Sequence, residues 1–398
     1  MPLVSIVIPT RNRQNCAATL VKKILSTVSD CEVIVSDNSD DENLRHMLSD
    51  QFKDSRLIYT YYPSLLSVVD NFNLGLEASL GDFVTFVGDD DLIGPYFEKI
   101  VKWAKSNEID LLQSNYKGRT LQYFWPGVKQ KNWSDIGGSL FLSDFSGKVK
   151  ELNVKSAMKD ALFNLGCGPK RMPRAYLGLI SRRVLIKVEN SYGKLFGGFS
   201  PDVYSSQILS SIGAKAFGLD YPIIIPGVCS LSTSAARAER RDVGKLDNPE
   251  GLVANDHIGR FSTVVWDGRV PSYYSPYTVW AQTHLKALDK THTPLTSISF
   301  AHLYATCLIF TPKHFKDVWL SIKADRNILS IIYFVSLTGL MMNFVIGKYV
   351  LNKTRLFVHR KPGGAKYQIS GLVNSSVATD AISSWLSEQR VKPEAISK

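Results

Sequence analysis

Asp89, Asp90 and Asp91 follow a short β-branched and aromatic run, residues 82–87 (DFVTFV), across a single glycine, Gly88. Adjacent carboxylates repel one another and lose hydration when enclosed, so the triplet suggests a compensating cation, a divalent metal such as Mn2+ or Mg2+ held by oxygen ligands. A solvated acidic turn or a charge cluster at a helix N-terminus would use the same residues. A second carboxylate, Asp202, lies in GGFSPDVY (197–204), a glycine-rich approach to a helix that Ser200 would cap and Pro201 would open. In that first turn Asp202 suits either the helix dipole or proton transfer.

The elements that must position these residues alternate. Apolar runs at 3–9 (LVSIVIP), 32–36 (EVIVS), 56–62 and 82–87 read as strands. Between them, Ala17, Val21, Ile24, Leu25 and Val28 form one helical face, and residues 42–52 and 68–79 also read as helices. After the triplet, Gly94-Pro95 is expected to open a helix with Phe97, Ile100, Val101 and Ala104 on its apolar side. Such alternation implies an α/β fold with a mostly parallel sheet whose ligands bind beyond the carboxyl ends of the strands. Thr10, Asp37 and Asp89 would converge there.

The motifs VSIVIPT (4–10), the strand ending in Asp37-Asn38-Ser39-Asp40, and GDFVTFVGDDD (81–91) occur in an order that resembles family 2 glycosyltransferases over about residues 1 to 115. The resemblance implies the GT-A fold, Rossmann-like, with a mainly helical C-terminal extension here. It also implies a nucleotide-diphosphate sugar donor and inversion at the anomeric carbon. By the same resemblance Pro9 and Thr10 border the nucleotide with Arg11 as a partner, Asp37 meets the base and Asn71 faces the nucleotide sugar. Asp91 and Asp89 are the candidate metal ligands, Asp89 and Asp90 lie nearer the sugar and ribose, and Asp202 is the base for the acceptor hydroxyl. Asp70-Asn71 stands where the family often has Arg-Asn, which removes an arginine contact. Physically, a cation bridging a leaving diphosphate stabilises its developing charge and needs only one or two protein carboxylates.

The expected organisation is a catalytic domain at 1–226, divided into a nucleotide-sugar half (1–115) and an acceptor half (116–226). A basic loop and helical acceptor region (227–326) follows, then an apolar helix with a basic tail (327–398). In the acceptor half, Tyr123-Phe124-Trp125 reads as a loop that either stacks on a sugar or packs in the core, and Lys170, Arg171 and Arg174 are candidate phosphate contacts or solvated bases. In the following region Arg237, Arg240 and Arg241 are candidates to close over the diphosphate, and His257 and His284 are unassigned polar residues. The acceptor implied is a surface glycan or lipid-linked oligosaccharide.

Five scattered cysteines without a CxxC pair argue against a disulfide framework or structural zinc, and the start of the chain has no secretory pattern, so a reducing cytoplasm is expected. The net charge is +11, and from Lys348 onward nine Lys/Arg stand against three Asp/Glu. No nucleic-acid-binding signature accompanies that charge, which leaves anionic lipid or phosphorylated substrates. Residues 328–346 are uncharged and near bilayer-spanning length, open to a spanning, a buried or an interfacial helix. Together with Trp385 and Leu386 in the tail, they lead to an expected peripheral contact with the inner face of the cell membrane. A non-catalytic scaffold with the same sheet is the alternative to an enzyme.

Overall fold

The computed structural model describes residues 1–64, 66–129, 136–232, 235, 243–244, 246, 265–324, 326–359 and 361–396. Arg237, Arg240, Arg241 and His257 lie outside the described residues.

The first half alternates as expected: β1 (Val4–Thr10), α1 (Gln14–Thr27), β2 (Cys31–Asp37), α2 (Asn43–Met47), β3 (Leu57–Tyr61), α3 (Val68–Glu77) and β4 (Phe83–Phe86). Every residue of β1, β2 and β4 is buried. Helices cover both sheet faces, which is why these strands are continuously apolar rather than alternating. There follow β5 (Leu92–Ile93), α4 (Phe97–Ser106), β6 (Leu111–Ser114), β7 (Leu121–Phe124), β8 (Ser139–Leu142), β9 (Val149–Glu151) and α5 (Val154–Phe163). Next come β10 (Gly178–Ser181), α6 (Arg182–Tyr192), α7 (Pro201–Ser211), β11 (Ala216–Leu219), β12 (Ile224–Ile225) and β13 (Gly227–Val228). The C-terminal part contains α8 (Pro276–Thr291), α9 (Ser297–Phe310), α10 (Phe315–Lys323), α11 (Ile328–His359), β14 (Tyr367–Ile369) and α12 (Ser375–Glu388).

The main sheet has the order β3-β2-β1-β4-β10-β6-β11-β9. β3, β2, β1 and β4 are parallel, with Thr10 in register with Asp37, whereas β10 runs antiparallel to both β4 and β6. On one face Phe72 of α3 stacks on Phe86 at 5.4 Å, joined by Val7, Val184, Tyr204 and Ile208. The other face holds Ile6, Ile8, Leu20, Ile24, Ile100 and Val101.

Three expectations are corrected. Pro95 is not in a helical first turn: Leu92–Ile93 pairs antiparallel with Ile224–Ile225, and α4 starts only at Phe97, with Tyr96 in the left-handed region at φ 60 as its cap. Strand pairing over more than a hundred residues overrides the local proline signal. Tyr123 and Phe124 are not in a loop but in β7, between β13 and β8, with Tyr123 fully buried. Trp385 and Leu386 do not face outward as a lipid contact. Leu386 is buried with Ala378 and Ile382 in the core that contains α1, and Trp385 packs on Tyr367 at 5.3 Å. β14 pairs with β8, so this final segment joins the small sheet beside the main one.

Candidate active site

The carboxyl ends of β1, β2 and β4 meet at one edge, as the strand order requires. Thr10 ends β1 and donates its hydroxyl to Asp89 Oδ2 at 2.6 Å. Arg13, whose carbonyl accepts the first amides of α1, turns its guanidinium inward, with Nη2 3.0 Å from Asp89 Oδ1 and Nη1 3.3 Å from Asp90 Oδ2. Asp90 Oδ2 also accepts the Cys229 amide at 3.1 Å, and its carbonyl accepts Trp125 Nε1 at 2.7 Å. Asp91 accepts two amides, Gly88 at 2.9 Å and Gly227 at 2.7 Å. Glycine is required at 227 because a Cβ there would overlap the Asp90 carbonyl. Burial pushes the Asp89 carboxyl up to about 7, with Arg13 opposing the rise and Asp90 adding to it. Asp91 is pushed up to about 8 by burial first and by Asp90 second, against its two amide hydrogen bonds.

The neighbouring expected residues have structural partners. Asp37 is fully buried, taking the Ser39 amide at 2.9 Å and the Tyr59 hydroxyl at 2.8 Å. Asn71 accepts the Ser36 hydroxyl at 2.5 Å and donates to the carbonyls of Ser36 and Thr10 at 3.2 and 3.4 Å, which ties α3 to the ends of β1 and β2. Arg11 turns away from the triplet toward Asp40 at 2.8 Å and the Asn38 carbonyl at 2.8 Å. Pro9 pairs in register with Ser36 at the strand end.

Asp202 lies in the first turn of α7, as expected, although Ser200 makes no side-chain cap bond there. Its Oδ1 is buried without a hydrogen-bond partner, and burial raises its pKa above the usual carboxylate value while Arg174 opposes that rise. Ser206 and Ser210, one and two helical turns further along, also have buried hydroxyls without partners. Tyr176 connects the two acidic groups. Its hydroxyl is held well above its usual value by burial, then by the fields of Asp91 and Asp202, so all three share one environment. Arg174, next but one to Tyr176, bonds the Lys170 carbonyl at 2.6 Å. His284 is wholly buried in α8, and burial lowers it to about 4, which keeps it neutral.

The sequence reading assigned no role to Arg13, Tyr176, Gly227 and Cys229, and took Trp125 for a sugar-stacking or core residue rather than a partner of the Asp90 carbonyl. For Arg13 a signal exists, a second cation three residues beyond Thr10 at the end of an inner strand. The others arrive through tertiary contacts with no local pattern. The described residues contain no group of three His, Cys, Asp or Glu side chains able to hold a metal by themselves.

Residues 5–149 match the family model for glycosyl transferase family 2. A GalNAc(5)-diNAcBac-PP-undecaprenol beta-1,3-glucosyltransferase of Campylobacter jejuni is 28% identical over 171 residues, 41% of this chain and 55% of that protein. An uncharacterised glycosyltransferase of Haemophilus influenzae is 28% identical over 122 residues, 29% of this chain and 48% of its own length. The chain thus spans about half the length of these curated relatives. Crystal structures of S. aureus TarS 1-349, alone and in complex with UDP-GlcNAc, are similar at TM-scores of 0.43 and 0.44 with 13% identity. They cover 84% and 87% of this chain and 90% and 91% of theirs. The parallel half followed by a mixed sheet, with the acidic triplet after β4, has the layout of a GT-A fold, and residues 5–149 are similar to glycosyl transferase family 2.

Proposed function

We propose that the protein transfers a sugar, with inversion, from a nucleotide-diphosphate sugar to a hydroxyl of a lipid-linked or surface glycan. The observation that supports this most is the acidic triplet at the sheet edge, where Thr10 and Arg13 hold Asp89, together with Asp202, whose enclosed Oδ1 has no hydrogen-bond partner.

In this reading Asp202 accepts the proton of the attacking hydroxyl. Its raised pKa brings it nearer to the working pH, which favours proton abstraction in the transition state. Arg174 limits that rise and keeps the anion accessible. Thr10 and Arg13 orient Asp89 and Asp90 toward the sugar and ribose, while Pro9, Arg11, Asp37 and Asn71 shape the nucleotide end of the strands.

The triplet fits a hard divalent cation. It offers oxygen donors only, and repulsion between Asp90 and its neighbours would be relieved by positive charge. The absence of a third converging ligand among the described residues suits an ion that takes further oxygens from a diphosphate. Asp91 with Asp89 would hold Mn2+ or Mg2+, whose chemistry is to neutralise charge on the departing diphosphate.

Binding and slow hydrolysis of a panel of nucleotide sugars, with and without manganese, test the reading on the full chain. One donor should bind in a metal-dependent way, and Asp91→Asn, checked for fold by circular dichroism, should lose that binding. Absence of binding across the panel by folded protein would transfer the assignment to a non-catalytic scaffold.

A further inference from the structure

We propose that α10 and α11 together form a preassembled surface that docks on an anionic lipid bilayer, with α11 lying in the plane of the interface rather than crossing it. The apolar stretch of α11 is long enough to cross a membrane by length and composition. Its surroundings argue for a different role. A stripe of Phe334, Thr338 and Val345 is buried, and α11 packs along the largely apolar α9. The opposite side exposes Leu329 at 78%, Ile332 at 57% and Leu340 at 63%.

The helix is also tied down near its start and again at Lys348 and Tyr349, before it runs on to His359. Near its start, the Arg326 guanidinium lies 3.9 Å over Phe334 and bonds the carbonyls of Ser321 and Ile322, each at 2.7 Å. Towards its far end, Lys348 donates to Asn164 Oδ1 at 2.9 Å and Tyr349 meets Phe310 at 5.6 Å. A helix held along one side, near its start and again at Lys348 and Tyr349, has only its other side to offer to lipid over that length. Such a helix belongs in the headgroup and acyl boundary.

α10 provides the independent second observation. Its inner side, Val318, Ser321 and Ile322, is buried, while Phe315, Trp319 and Leu320 are exposed beside Lys316 and Lys323. Tryptophan with lysine on one apolar helix face is the composition of an interfacial anchor. Because Arg326 bonds the end of α10 and stacks on α11, the two exposed faces are presented as one rigid unit. The cations at its rim suit anionic headgroups, and two copies of this face would oppose lysine to lysine. The bilayer is therefore the better occupant than a second copy of the chain.

The inference is independent of the transfer chemistry. Where that chemistry holds, the contacts from α11 through α9 and α8 to α7 connect the docking surface to the helix that carries Asp202.

Flotation of the full chain with vesicles of equimolar phosphatidylcholine and phosphatidylglycerol tests this. The protein should float with these vesicles, bind phosphatidylcholine alone more weakly, and be released by alkaline carbonate. Trp319→Glu with Leu320→Glu should weaken binding at least about tenfold, as expected from the loss of two apolar anchors. Lys316→Glu with Lys323→Glu, two exposed positions that leave the fold intact, should lower binding to the anionic vesicles selectively. Retention after carbonate would overturn the in-plane geometry in favour of a spanning helix. A folded protein that ignores vesicles, or self-associates through this face without binding them, would overturn the proposal.

Discussion

Asp91 is a buried carboxylate and Asp202 a half-buried one whose Oδ1 is enclosed, and their surroundings are opposite. Asp91 is received by two backbone amides, and its neighbours Asp89 and Asp90 are contacted by Thr10, Arg13 and Cys229. Asp202 has an enclosed oxygen without a hydrogen-bond partner and lies in the field of Arg174. A buried polar atom without a partner costs about 1–3 kcal/mol, and such costs persist where the atom is needed for something else. The first arrangement holds groups in place, which suits binding. The second leaves an oxygen available, which suits proton transfer.

The largest effect should follow from abolishing the available oxygen. Asp202→Asn preserves size and removes basicity, and the transfer rate should fall by roughly 10²- to 10⁴-fold, the usual contribution of a general base. Donor affinity, measured by calorimetry, should stay within about twofold. If affinity drops along with the rate, Asp202 belongs to donor binding and the contrast between the two sites fails.

A smaller effect separates the sites by pH. Carboxyls whose folded values are raised contribute stability at low pH that is lost as pH rises from the unfolded value near 4 toward the folded one. For Asp89 and Asp91 the window runs from about 4 to about 7 and about 8. Over that window each contributes a loss of about 1.4 kcal/mol for every pH unit in which only the folded state keeps its proton. Buried neutral His284, lowered to about 4, acts in the opposite sense below about 6.5. The discriminating quantity is therefore the difference between the original chain and Asp89→Asn in urea midpoints, without added metal, at pH 5 and pH 8. The original chain should lose more stability between the two, and equal losses would mean that Asp89 is already ionised at both.

The same contrast explains how much could be read in advance. β1, β2 and β4 are buried on both faces, so each is a mostly apolar run that announces itself, and the polar residues that end each run mark the sheet edge. Asp89 to Asp91 and Asp202 are legible because carboxylates at such positions need a reason. Arg13 and Tyr176 become site residues only when α1 and the segment before β10 fold over the edge. The displaced start of α4 has the same origin, since Leu92 and Ile93 are claimed by Ile224 and Ile225. Trp385 and Leu386 misled because an amphipathic end helix looks alike whether its apolar face meets lipid or, as here, the core beside α1. Conversely, the exposed apolar side of α11 is invisible in a sequence that is apolar all round.

The smallest effect compares two hydroxyls. Thr10 Oγ1 donates to Asp89 at 2.6 Å, so Thr10→Val removes a hydrogen bond to a buried carboxylate and should cost about 1.5–3 kcal/mol. Ser206 Oγ is buried in α7 with no partner, one turn beyond Asp202. Ser206→Ala removes an uncompensated group and adds a better helix former, so stability should rise by about 1 kcal/mol. Thermal unfolding of the two variants should therefore shift in opposite directions. A loss for Ser206→Ala as large as that for Thr10→Val would mean that the hydroxyls along α7 are as fully bonded as those around the triplet, and that Asp202 lies in a second organised polar network rather than beside an open oxygen.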